Sequence, residues 1–271
     1  MPWAGMDWGT ANADAAAEPS PTIVEAFLAS MPSRYRVLFD PRAIRRHAGV
    51  SQRRGARLAC CEVWRTLPDG SAALCVIAED RPGLLSAIAA ALVSHRLDVI
   101  TALVFSRDAS DGRREAVDLV WVRRASADDV DPIDPGEAVS IGEVLSAILS
   151  GVVSVEEIAS RAPETMATND GEVVVRCDEV DDEGLAVLFI EASDRPGMLL
   201  TIAFEVFQQG AQIVRSLVRT AEGRAFNRFE LAEFSGAPLA AERREQIRAA
   251  VYAALALPAS RSRVVEATRS T

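Results

Sequence analysis

The sequence contains the tetrapeptide Asp-Arg-Pro-Gly twice, at residues 80–83 and 194–197. Each copy lies between an apolar run of strand length and apolar residues at helical spacing, and a second strand-like run follows the helix in both places. The strand-like runs are residues 72–78 and 97–104 in the first copy, and 185–192 and 211–218 in the second. Because the match continues without a gap from the tetrapeptide through the following strand, the sequence indicates an internal duplication.

The tetrapeptide suits the point where a strand ends and a helix begins. Proline is tolerated in the first helical turn, and glycine allows a ligand or another chain to approach the backbone. We expect the aspartate to cap the free amide groups of the helix. These amides and the helix dipole favour an anion, so a small zwitterion fits: its carboxylate meets the amides and its ammonium meets the aspartate. A well-capped turn without a ligand is the competing interpretation, and the two are about equally consistent with the pattern.

The order of apolar strand, D-R-P-G, amphipathic helix and second strand resembles the ACT domain across residues 57–270, in two copies. This resemblance implies an α+β fold with two ferredoxin-like ACT domains, each an antiparallel sheet with helices on one face. It also implies amino-acid binding in a metabolic regulator. A further strand-like run precedes each unit, at residues 57–66 and 172–177, and predicts the order ββαββα with this strand at a sheet edge.

The tetrapeptides and the resemblance together define a set of candidate ligand-binding residues. We favour the second loop with the strand segment beginning at Gln212, because Gln212 and Ser216 offer polar groups to an amide-bearing ligand. Asp118 and Asn227 occupy equivalent strand positions. The sequence is equally consistent with two roles for them, support of the hairpin and contact with a ligand. The candidates are Asp80, Arg81, Pro82, Gly83, Leu84, Leu85, Asp98, Val99 and Ile100 in the first copy, and Asp194, Arg195, Pro196, Gly197, Met198, Leu199, Gln212, Ile213 and Val214 in the second.

A basic segment precedes the first copy. Asp40 followed by Pro41 predicts the start of a helix, and the arginines around it predict either a solvated face that pairs with the acidic remainder of the chain or a docking surface. The pattern M-P-x-R-Y, a gap, then D-P-x-x-I-x-x-H is similar to the linker ahead of the paired ACT domains in the bifunctional PII uridylyltransferase/uridylyl-removing enzyme family. It is carried by Met31, Pro32, Arg34, Tyr35, Asp40, Pro41, Ile44 and His47.

In that family the paired ACT domains sense glutamine and set the balance between two catalytic activities. The family's catalytic motifs are not found in this sequence: it has no His-Asp dipeptide, and its two histidines are His47 and His95. Two-metal phosphoryl chemistry needs several convergent acids and imidazoles. The resemblance therefore implies the regulatory region without the catalytic domains, and we expect no enzyme activity, no cofactor and no bound metal.

Composition narrows the remaining function classes. A net charge of −10 and a pI near 4.9 argue against nucleic-acid binding by the whole chain. The four cysteines form no C-x-x-C pair, so structural thiols are favoured over metal ligands. No apolar run has the ~18 residues of a membrane helix, and no secretory signal is recognisable, so a cytoplasmic protein is expected.

The expected function is a non-catalytic sensor of a small amino acid, with glutamine as the first candidate, in nitrogen or amino-acid metabolism. The alternative is an interaction subunit of a separate catalytic partner with no ligand of its own. The two copies are expected to pair with each other, or with those of a second chain in a homodimer. The expected division is a flexible tail at 1–20, a helical linker at 21–56, ACT domains at 57–161 and 172–271 with a linker at 162–171 between them, and a last short strand at Val264-Val265.

Overall fold

A computed structural model describes residues 18–109, 112–126, 131–161 and 172–256. Most of the expected tail, the linker at 162–171 and the expected strand at Val264-Val265 lie outside the described residues. Three helices come first: α1 (Pro21–Ser30), α2 (Ser33–Leu38) and α3 (Pro41–Arg54). The first repeat comprises β1 (Ala59–Thr66), β2 (Ala72–Glu79), α4 (Leu84–Ser94), β3 (Leu97–Asp108), β4 (Arg114–Arg124), α5 (Pro135–Leu149) and α6 (Val155–Arg161). The second comprises β5 (Val174–Val180), β6 (Ala186–Ser193), α7 (Met198–Gln208), β7 (Ala211–Ala221), β8 (Arg224–Glu233) and α8 (Ala241–Ala256).

All eight strands form one antiparallel sheet in the order β1-β2-β4-β3-β7-β8-β6-β5. The predicted α+β class, the ββαββα order and the edge positions of β1 and β5 are confirmed. The repeats join in the middle of the sheet, where β3 pairs with β7 and Leu103 lies opposite Leu217. Because Leu103 and Leu217 are equivalent positions of the two repeats, an approximate two-fold axis passes through this pair. The two copies thus pair within one chain.

One face of the sheet is covered by the helices of both repeats. Alternate strand residues such as Leu74 and Leu188 point to this face, where they pack with the apolar sides of α4 and α7 in one continuous core. Ile88 and Ile202 are fully buried at matching positions of those helices. Within the described ranges, no helix combines the length and the apolar character that crossing a bilayer requires.

The opposite face of the first repeat is covered as well, by α1, α2 and α3. Trp64, Ile77, Phe105 and Trp121 point to that side and are buried against these helices. The helices of the repeats themselves share one face of the sheet, as expected, and the segment predicted as a helical linker at 21–56 is helical. What the sequence did not predict is that this segment packs as a second layer on the other face of the first repeat. The physical reason is the apolar composition of this face, which needs a cover.

The second repeat carries charged residues at the corresponding positions. Glu191 replaces Ile77, Arg219 replaces Phe105 and Glu230 replaces Trp121. Arg224 pairs with Glu191 at 2.9 Å, and Arg228 pairs with Glu230. This face can stay in contact with water without a covering helix, which explains why, within the described ranges, only the first repeat has the additional layer.

The residues of the M-P-x-R-Y and D-P-x-x-I-x-x-H patterns attach the N-terminal helices to the sheet. Asp40 begins α3 by accepting a hydrogen bond from the amide of Ala43 at 2.8 Å, as predicted. Arg34 donates to the carbonyl of Val104 at 3.1 Å. Tyr35 is completely buried, and its hydroxyl lies 2.6 Å from Nδ1 of His47. The pattern therefore has a structural explanation in this chain that is independent of any ligand.

The arginines of α3 pair with acids on the sheet. Arg53 forms a double hydrogen bond with Glu62, at 2.7 and 2.6 Å. Arg54 is 3% exposed and contacts Glu115 at 2.8 Å. The interpretation that the basic segment pairs with the acidic remainder of the chain is confirmed for these two residues, although Arg54 is buried rather than solvated.

His47 should make the stability of the fold depend on pH. Burial, with a smaller contribution from the charge of Arg46, lowers the pKa of His47 to about 3. The unfolded chain binds a proton at this imidazole near pH 6.5, so unfolding takes up a proton below that pH. We expect the free energy of unfolding to decrease as the pH falls from 6.5 towards 3, by up to about 1.4 kcal/mol per pH unit from this residue. Urea unfolding at a series of pH values measures it.

The matched control is His47→Gln, since carboxylates titrate in the same range in both proteins. The difference between the two stability curves isolates the imidazole. Parallel curves for the two proteins between pH 6.5 and 4 would contradict the prediction.

Candidate functional site

The two tetrapeptides form matching turns, called here loop 1 (Asp80–Gly83) and loop 2 (Asp194–Gly197). The helix behind each loop begins at the following residue, and the glycine is its N-cap, with φ of 81° at Gly83 and 77° at Gly197. These positive φ angles are the reason for glycine. The first turns of α4 and α7 have no side-chain cap. The predictions that the aspartates cap the helices and that the prolines lie in the first turn are wrong.

The arginine of each loop is directed towards a helix end. Arg81 donates to the carbonyl of Leu149 in the last turn of α5, and Arg195 donates to the carbonyl of Leu255 in α8, at 3.0 Å for Arg195. Cations near a helix C-terminus satisfy carbonyls that lack helical partners. Burial lowers the pKa of Arg195. Both guanidinium groups therefore fasten a loop to a helix, and the geometry does not favour them as ligand-binding groups.

Each loop faces a cleft that the other repeat completes. One wall of the loop 2 cleft is formed by loop 2 and the start of α7, and the other by the end of α4 and the start of β3. In the loop 1 cleft, one wall is formed by loop 1 and the start of α4, and the other by the end of α7 and the start of β7. Each has a cavity volume of about 20 Å³ in this structure, room for about one water molecule, so a larger ligand requires the walls to move apart. A pocket at a junction between units is a common place for a small ligand.

The pairing of β3 with β7 decides which strand lies beside which loop. Gln212 and Ile213 line the loop 1 cleft, and Asp98 and Val99 line the loop 2 cleft. We expected Gln212 to lie beside loop 2, its own repeat's loop; the structure places it beside the other. Ile100 packs on the opposite face of the sheet, and Val214 is its equivalent in the second repeat. Neither of these two predicted residues lines a cleft. The other candidates that line the clefts are Asp80, Arg81, Gly83, Leu84 and Leu85, and Asp194, Arg195, Gly197, Met198 and Leu199; Pro82 and Pro196 are not among the lining residues.

Each cleft has a deeply buried polar side chain at the same strand position of its wall. Asp118 lines the loop 1 cleft and Asn227 the loop 2 cleft, at 1% and 2% exposure. In both residues Oδ1 has no hydrogen-bond partner. Burial, and then the charge of Asp80, raise the pKa of Asp118 well above its usual range, which favours the protonated carboxyl. Both side chains line a cleft, and ligand contact stays a prediction for them.

Arg123, which sequence reasoning missed, bridges two aspartates that line the loop 2 cleft. Nη2 of Arg123 contacts Asp98 at 2.9 Å and Asp194 at 2.6 Å. Burial, and then the charge of Asp194, raise the pKa of Asp98, while Arg123 opposes the shift. In the loop 1 cleft Asp80 contacts the exposed Arg114 at 2.9 Å instead.

An aromatic ring distinguishes the two clefts on their apolar side. Phe207 at the end of α7 lies over loop 1, so that a Cβ on Gly83 would come within 2.9 Å of its ring. Its equivalent beside loop 2 is the smaller Val93, and a Cβ on Gly197 would meet nothing within 4 Å. The loop 2 cleft is therefore the more open of the two at its glycine.

Potential metal ligands are dispersed and the thiols are buried in the described part of the chain. Across residues 18–109, 112–126, 131–161 and 172–256, no group of three or more His, Cys, Asp and Glu side chains could hold a metal. The four cysteines are free and buried. Burial raises the pKa of Cys60 and of Cys177 to about 11, so neither is a thiolate near neutral pH.

Known proteins resemble this chain along most of its length. The bifunctional uridylyltransferase/uridylyl-removing enzyme of Phenylobacterium zucineum is 26% identical over 90% of the chain, which covers 25% of the enzyme. The enzyme of the same name from Bradyrhizobium sp. strain BTAi1 is 28% identical over 79% of this chain, and that from Bradyrhizobium diazoefficiens is 27% identical over 76% of this chain. The chain is related to this enzyme. It spans about a quarter of the length of these uridylyltransferase/uridylyl-removing enzymes or less. No family model matches the chain.

Proposed function

We propose that this chain is a non-catalytic regulatory protein that binds a small amino acid in the loop 2 cleft, with glutamine as the first candidate. The observation that carries the proposal is the combination of groups in that cleft. An uncapped helix start, two carboxylates and a buried amide with a free oxygen surround one space. A zwitterion with a polar side chain can place a carboxylate at the helix start, an ammonium group at the two carboxylates and a hydrogen-bond donor at the amide oxygen.

Each part of the ligand has a designated partner in this proposal. Its carboxylate meets the first-turn amides of α7, where the helix dipole favours an anion. Its ammonium group meets Asp194 and Asp98, and its side-chain amide meets Oδ1 of Asn227. Hydrogen bonds to the buried amide would contribute selectivity, since a ligand without a donor leaves Oδ1 unpaired.

The division into two ACT domains, at residues 57–161 and 172–271, is part of the same proposal. It is supported by the duplicated ββαββα order and by the edge-to-edge pairing of β3 and β7. That pairing gives each loop a strand from the other repeat, which is the arrangement the family resemblance implies for ligand binding. The clefts would then be a property of the paired repeats, absent from either repeat alone.

The choice of glutamine and of a role in nitrogen regulation comes from the relatives. Their printed name describes an enzyme that both adds and removes uridylyl groups. The family resemblance assigns glutamine sensing to the region that this chain matches. We propose that the chain performs this sensing function and does not itself transfer or remove a uridylyl group.

A second candidate function is an interaction subunit for a separate catalytic protein. The observation that favours it is the charged sheet face of the second repeat, where Arg176, Arg219 and Arg228 are exposed beside partly buried Phe189 and Phe226. Arg176 lies over the ring of Phe189 at 4.8 Å. Exposed arginine and aromatic groups are enriched in protein interfaces.

A thermal-shift screen of the twenty amino acids tests the first candidate. A ligand at 100 times its dissociation constant stabilises the folded state by about 2.7 kcal/mol. We expect glutamine to raise the melting temperature of the wild type and to have no effect on Asp194→Ala. Asp80→Ala is the matched control, because it removes the equivalent carboxylate at the other cleft, and it should keep the response. A wild-type protein that responds to none of the twenty would contradict the sensor function and leave the interaction subunit as the proposal.

A further inference from the structure

The bridge formed by Arg123 connects the two repeats. Asp98 belongs to the first repeat and Asp194 to the second, and one nitrogen of Arg123 contacts both carboxylates. The side chains of Asp98 and Asp194 are 7% and 11% exposed, whereas that of Arg123 is 44% exposed. The acids are thus fixed inside the cleft, while the cation reaches them from its solvent side.

This arrangement is specific to one of two otherwise equivalent clefts. At the loop 1 cleft the position of Asp98 is taken by Gln212 and that of Arg123 by Ala232. Gln212 donates to the carbonyl of Glu233 at 3.0 Å and so satisfies a group within its own repeat. The two carboxyl groups that line the loop 1 cleft, Asp80 and Asp118, both belong to the first repeat, so among the described residues this cleft has no carboxylate pair bridged across the repeats.

A carboxylate pair of this kind needs a positive charge. Two carboxylates in contact with the same nitrogen would repel each other without it, and desolvation adds to the cost. An ammonium group presents three hydrogen-bond donors and one positive charge, so it can replace the guanidinium nitrogen at this position. Because Arg123 is half exposed, its own charge can return to water when it leaves the acids, at little cost.

We propose that Arg123 occupies the ammonium position of the loop 2 cleft in the free protein, and that an amino acid binds by displacing it from Asp98 and Asp194. The inference rests on the proposed function and adds to it a built-in competitor for the ligand. Binding then exchanges a bridge made by the chain for one made by the ligand. The carboxylates of the two repeats stay joined in both states, and bound ligand keeps the guanidinium group released towards solvent.

The expected consequence is that Arg123 weakens ligand binding. If the bridge is closed about 90% of the time, the apparent dissociation constant is about tenfold higher than that of the open cleft. Calorimetric titration of L-glutamine into wild type and Arg123→Ala should therefore show about tenfold tighter binding by the variant. Arg114→Ala is the matched control, since Arg114 pairs with the equivalent Asp80, and its affinity should equal that of the wild type.

N-acetyl-L-glutamine, which has no ammonium group, should bind neither the wild type nor the variant. If Arg123→Ala is too unstable to titrate, Arg123→Gln removes the charge and keeps a polar side chain of similar width. Binding by the wild type with equal or weaker binding by these variants would overturn the inference and leave the proposed function intact. Binding of none of the twenty amino acids by either protein would overturn both.

Discussion

Replacement of Glu115 by alanine is expected to lower the free energy of unfolding by about 3–5 kcal/mol, because it leaves a buried charge unpaired. Glu115 accepts hydrogen bonds from Arg54 at 2.8 Å, from Arg107 at 2.7 Å and from Ser51 at 2.9 Å. The side chains of Arg54 and Glu115 are only 3% and 4% exposed, so water cannot replace the lost partner. Since Arg54 and Ser51 belong to α3, the network holds that helix to the sheet. Denaturant unfolding measures the change.

Glu62→Ala is the matched control for this prediction. Glu62 also pairs with an arginine of α3, but the side chains of Arg53 and Glu62 are 33% and 27% exposed. Pairs of this kind contribute roughly 0–1 kcal/mol. Equal losses for Glu115→Ala and Glu62→Ala would show that burial does not decide the strength of these contacts, and would contradict the prediction.

Removal of residues 1–56 is expected to make the remaining chain aggregate. The deletion takes away α1, α2 and α3 and exposes the sheet face that contains Trp64, Phe105 and Trp121, each at most 4% exposed in the intact chain. Large contiguous apolar patches on a monomer favour association. Light scattering and size-exclusion chromatography of the shortened chain measure the effect.

Removal of residues 1–17 alone is the control, because it leaves all three helices in place. This shorter deletion should give a chain that elutes like the full-length protein and melts at a similar temperature. A stable, non-aggregating chain that begins at residue 57 would show that the three helices are dispensable for the fold. The predicted helical linker would then have no structural role in the sheet that follows it.

Local sequence patterns predicted most of the secondary structure. The repeated D-R-P-G turns and the apolar periodicity on both sides of them give the duplicated ββαββα order, and Asp40 with Pro41 gives the start of α3. These features depend on neighbours within a few residues, so they can be recognised in the chain itself. The same local reasoning was wrong about Asp80 and Asp194, because their side chains bond to distant arginines instead of the adjacent helix.

The sequence by itself determined that two copies of one unit exist and that each places a glycine turn before a helix. Only the tertiary structure decided which groups face each other. The pairing of β3 with β7 sets Asp98 beside Asp194 and Gln212 beside loop 1. Contacts across 25 and 71 residues of sequence bring Arg123 to Asp98 and to Asp194. Such contacts depend on strand register and on packing between repeats, which local spacing does not encode. The chemistry of the proposed site therefore follows from how the two copies join.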